Sequence, residues 1–65
     1  MTKDLRHPSP RLRAAAEVVY ETAKALEWSG FVAPTYREFE RTNPIGFEEF
    51  NAIIDLALEA ADKAT

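Results

Sequence analysis

Six residues punctuate this chain. Prolines stand at 8, 10, 34 and 44, and glycines at 30 and 46. Proline interrupts helix interiors and glycine favours helix ends. The chain is therefore divided into three stretches that can be helical, and the last, after Gly46, contains neither breaker. The predicted fold class is all-α. Its three helices cover about 9–29, 35–42 and 46–63, with helices 1 and 3 antiparallel and a short helix 2 between them. Residues 1–8 read as a flexible basic segment and 9–65 as a single helical domain.

The first helix carries the clearest signals. Ser9 suits the N-cap and Pro10 the first helical position, where its missing N–H costs nothing. Gly30 suits the left-handed position beyond the end. Leu12, Ala16, Val19, Ala23 and Leu26 fall on one stripe at about 100° per residue, with Tyr20 at its edge. In the second helix, Thr35 to Glu38 matches a capping box and Phe39 points inward, with Tyr36 nearby on the same face. Asn43-Pro44 is a stop signal. The third helix is expected to start at Gly46 or Phe47, with Ile45 and Phe50 as a hydrophobic staple. A rival start at Pro44, capped by Asn43, would put Gly46 inside the first turn.

With 65 residues and no cysteine, the chain has a small core and no disulfide or thiolate chemistry. A lone imidazole, His7, lies outside the predicted helices, and no glycine-rich loop cradles a phosphate. Catalytic residues, metal ligands and cofactors are all read as none, and the chain as no enzyme. No apolar run reaches the roughly 18–20 residues a membrane span needs. The N-terminus lacks the apolar core of a signal peptide. A cytoplasmic location is expected, with no membrane partner. Arginine outnumbers lysine five to three and alanine is abundant, a composition associated with GC-rich bacteria and their phages.

Charge is unevenly spread. Residues 1–13 sum to +3 and residues 44–65 to −4. On the third helix Glu48, Asp55, Glu59 and Asp62 align as an acidic stripe. Such a row is either a solvated face or an imitation of a phosphate backbone. Around the rest of that helix, apolar residues sweep roughly 200°, where one partner needs little over 100°. Either the other two helices cover this arc, or part of it is left for a second copy or another protein. The oligomer face would then comprise Ile53, Leu56, Ile54 and Leu58.

Trp28 lies off the main stripe of the first helix. It either packs under the loop with Phe31, Pro34 or Tyr36, or anchors a partner as tryptophans often do. Phe31 and Tyr36 share that ambiguity, and Arg37 and Arg41 are placed to ring such a site. The function expected is a small non-enzymatic regulatory or inhibitory protein that binds another protein through an apolar helix face or an acidic, nucleic-acid-mimicking stripe, either as a monomer or as a homodimer. One alternative is a helix-turn-helix-like DNA-binding regulator using Arg37, Arg41 and the basic N-terminus. Glu48 and Glu49 at the start of its recognition helix disfavour nucleic acid. A second alternative is a structural subunit of a larger assembly.

Overall fold

A computed structural model describes residues 4–64. The fold is all-α, with α1 at Pro10–Ala25, α2 at Tyr36–Thr42 and α3 at Pro44–Ala64. The helices α1 and α3 share the most extensive contact, and the short α2 packs on both. Their antiparallel course shows in the pairing of side chains. Arg11, early in α1, meets Asp62, late in α3. Tyr20, late in α1, meets Phe50, early in α3.

Local chemistry fixes each boundary. The Ser9 hydroxyl accepts the Leu12 N–H at 3.3 Å, with Pro10 first in the helix. Helix α1 stops at Ala25, short of the expected 29. The N–H groups of Glu27 and Trp28 donate back to the carbonyls of Lys24 and Ala23, each at 3.0 Å. This is a Schellman closure. It puts Glu27, not a glycine, in the left-handed region at φ 59°. Gly30 also has positive φ, at 93°, but in the loop rather than at the helix end. Tertiary bonds hold the chain in this early turn: Tyr20 donates its hydroxyl to Ala33 O at 2.8 Å, and Lys24 Nζ donates to Phe31 O at 3.1 Å.

Asn43 serves two helices at once. Its N–H donates to Phe39 O at the end of α2, and its carbonyl accepts from Phe47 N–H in α3. Its side-chain oxygen accepts the Gly46 N–H at 3.1 Å. Helix α3 therefore takes the earlier start at Pro44, and the expected start at Gly46 or Phe47 is corrected. Ile45 is exposed and does not act as the expected staple. At α2, Thr35 Oγ1 accepts the Glu38 N–H at 3.1 Å, the threonine half of the expected capping box, while the Glu38 carboxylate accepts from Arg41.

The core is aromatic. Tyr20 sits among Phe31, Phe39, Phe50 and Tyr36 with centroid distances of 5.1–6.2 Å, mostly tilted or edge-on. Edge-on geometry suits the ring quadrupole. Leu12, Ala16, Ala23, Phe47 and Ile54 complete the buried apolar residues among those described. The buried stripe of α1 is thus turned towards Tyr20, while Val19 is partly and Leu26 largely exposed.

Candidate interaction surface

The wide apolar arc of α3 divides in two. Phe47 and Ile54 are buried, and Phe50 and Leu58 pack against the core. On the other side, Ile53 and Leu56 are each 65% exposed, with Ala57 and Ala60 exposed beside them. These four span about 100° of helix surface and follow the i, i+3, i+4, i+7 rule of a contact face. Of the expected oligomer face, Ile54 at 8% exposure is therefore core, and Leu58 leans on that core. Ile53 and Leu56 remain at the surface.

The three aromatic candidates separate. Tyr36, only 1% exposed, is a core residue and presents no surface to a partner. Phe31 is half-buried and packs edge-on to Tyr20 and Phe50. Trp28 lies beyond the end of α1 and is 57% exposed, so its position on the helical wheel does not apply. A chain of ring contacts links it to α3: Trp28 to Phe31 at 6.3 Å, then Phe31 to Phe50 at 5.9 Å. Phe50 is one helical turn from Ile53.

The arginines lie on another side. Arg37 and Arg41 line a recess with Arg13, Glu38 and Glu40. Arg41 is paired with Glu38, and Arg13 with Glu40 at 3.2 Å. Arg13 also stands over the Tyr36 ring at 5.7 Å. Carboxylates therefore accompany the cations that would meet phosphate. Only Asn43 separates α2 from α3, whereas a helix-turn-helix has a turn of three or four residues.

The acidic stripe is matched from within the chain. Asp62 accepts both guanidinium nitrogens of Arg11, at 2.7 and 2.9 Å. That bidentate bond holds the Asp62 carboxyl below the usual carboxylate range and raises the Arg11 guanidinium. Glu48 pairs with Arg6 at 3.4 Å. Asp55 is half-buried and lines a recess with Leu5, His7 and Ser9. Asp55 and Glu59 also have partners. The basic start of the chain thus folds back onto its acidic end.

Sequence reasoning missed the group that anchors this fold-back. Asn51 is fully buried. Its side-chain oxygen accepts the Tyr36 hydroxyl at 2.6 Å, and its amide nitrogen donates to Leu5 O at 2.7 Å. Leu5 itself packs against the core. Leu5 and Arg6, within the segment 1–8 expected to be flexible, therefore contact α3; residues 1–3 lie outside the described residues. The available signal was an amide flanked by apolar residues, Phe50-Asn51-Ala52-Ile53-Ile54. Among the described residues, every buried side-chain nitrogen and oxygen has a hydrogen-bond partner. Burial raises both tyrosine hydroxyls above their ordinary pKa.

Among the described residues, no three histidine, aspartate or glutamate side chains converge as a metal ion requires. No helix there is long and apolar enough to cross a membrane. Comparison with protein-family models, curated proteins and solved structures gives no match.

Proposed function

We propose that this chain is a small non-enzymatic interaction protein that works in the cytoplasm by occupying a surface of another polypeptide. The observation that carries this reading is the exposed stripe of Ile53 and Leu56 on α3, backed by a core that is complete without them. Two large apolar side chains at helical spacing are a typical anchor for a facing helix or groove. Exposed Trp28, joined to α3 through Phe31 and Phe50, extends the surface with the residue type that most often dominates binding energy. Arg41 and the Glu48 and Asp62 ends of the acidic stripe contribute less, because each is engaged with an opposite charge in the same chain.

The test compares capture by immobilised wild-type chain and by Leu56→Asp from a lysate of the source cells. Wild type is expected to retain itself or a distinct protein that Leu56→Asp loses, with both chains equally helical by circular dichroism. Identical retention by the two chains, or no retention by either, contradicts the reading.

A further inference from the structure

The exposed face of α3 has an internal order that bears on its occupant. From its start it presents Glu49, Ile53, Leu56, Ala60 and Lys63, with Ala57 and Ala64 along one edge, and all seven are exposed. The large apolar residues lie in the first half and the small ones in the second. The two charged residues at its ends have opposite sign, and each lies seven positions from Leu56. The face is about 21 Å long between them. It is self-complementary under inversion about Leu56.

We infer that this face binds a second copy of the chain, with the two α3 helices antiparallel and the two-fold axis passing by Leu56; this rests on the interaction reading above and names its partner. Inversion sets Ile53 of one copy beside Ala60 of the other, so large side chains fill the space left by small ones. It places Glu49 at the level of the partner's Lys63, and the same pair recurs at the far end by symmetry. A parallel pairing would put Glu49 against Glu49 and Lys63 against Lys63. It would also set Ile53 on Ile53 and leave the alanines facing one another across a gap. The remaining carboxylates do not oppose the inverted pairing. Asp55 and Asp62 lie towards the side of α3 where the start of the chain packs, and Asp55, Glu59 and Asp62 all have partners. With only two large apolar side chains per copy on this face, Ile53 and Leu56, association in the micromolar range, dependent on concentration, is expected.

Charge reversal separates this arrangement from its rivals, because Glu49 and Lys63 are exposed and outside the core. Sedimentation equilibrium of the full chain over a hundredfold concentration range is expected to show a monomer–dimer equilibrium. Glu49→Lys alone and Lys63→Glu alone should each weaken it by about fivefold or more. Mixing these two variants should restore dimer, since each copy then supplies the charge the other lacks, and the double variant should also recover. A dimer indifferent to both reversals overturns the antiparallel pairing. A monomer at every concentration overturns self-association; the broader reading still stands if capture of a distinct protein depends on Leu56, and falls if it does not.

Discussion

Asn51 and Tyr36 show how a single buried contact organises this chain. Each has its polar atoms satisfied only through the other elements of the fold. Asn51→Leu leaves the Tyr36 hydroxyl and the Leu5 carbonyl without their partner. It should cost about 1–3 kcal/mol in urea unfolding, and Tyr36→Phe about 1–2 kcal/mol. The double variant should fall short of the sum, because the two residues share one bond; strict additivity would show that the bond carries no stability. The same burial fixes an alkaline limit. Tyr20 and Tyr36 have hydroxyl pKa values raised in the fold, by desolvation first. The neutral form is favoured when folded, so stability is full below the ordinary tyrosine value near 10 and declines as pH rises through the folded values. Tyrosinate absorbance should therefore appear together with loss of helix. Gradual ionisation at pH 10 in a chain that stays folded would contradict this. Glu27 is the strained counterpart. Held at φ 59°, it should be replaced by glycine with a gain of about 0.5–1 kcal/mol, net of the extra freedom glycine has when unfolded.

At the scale of elements, the division into three helices was legible because breakers and caps are local. Ser9-Pro10, Thr35 to Glu38 and Asn43-Pro44 act through neighbouring backbone groups, and the same chemistry is present in the fold. The end of α1 was not legible. Its pattern continues to Leu26, but bonds from Tyr20 and Lys24 to the following loop favour closure at Ala25. The start of α3 turned on a choice between two acceptable caps, and Asn43 won by serving two helices. The candidate surface was legible only as an arc too wide for one partner. Which half is exposed depends on where α1 and α2 lie, and no local pattern encodes that. Gly46 offers a test of the Asn43 cap. A Cβ there would lie 2.6 Å from Asn43 Nδ2 and 2.9 Å from Cγ. Gly46→Ala alone should bring little of the usual gain of about 1 kcal/mol for replacing a helical glycine, because the capping amide must move. In an Asn43→Ala background the same change should recover that gain. Equal effects in both backgrounds would contradict the clash.

For the whole molecule, the separation of charge along the sequence is cancelled in space. Arg6 and Arg11 lie on Glu48 and Asp62, so a basic start and an acidic end become one closed surface. Sequence alone counts the charges but cannot show that they meet. The Asp62 and Glu38 carboxyls are held below their ordinary values, first by hydrogen bonds from Arg11 and Arg41. Their contribution is present above the unfolded carboxylate values near 4 and is lost as pH falls through the lower folded values. Both pairs are exposed, so the effect is small and screened by salt. Asp62→Asn should lower the neutral plateau of a stability–pH curve slightly at low ionic strength and leave the strongly acid end unchanged, so that the acid arm flattens; an acid arm as steep as in wild type would contradict this.

The central claim is that α3 has two apolar faces, one spent on the core and one offered outward. Ile53 and Ile54 are adjacent in sequence and fall on opposite sides of that division. The most direct measurement places aspartate at each and reads helicity and solution mass together. Ile54→Asp should unfold the chain. Ile53→Asp should keep its helicity and thermal midpoint while losing association. If Ile53→Asp unfolds as Ile54→Asp does, or folds and associates as wild type does, the two-faced account of α3 is wrong.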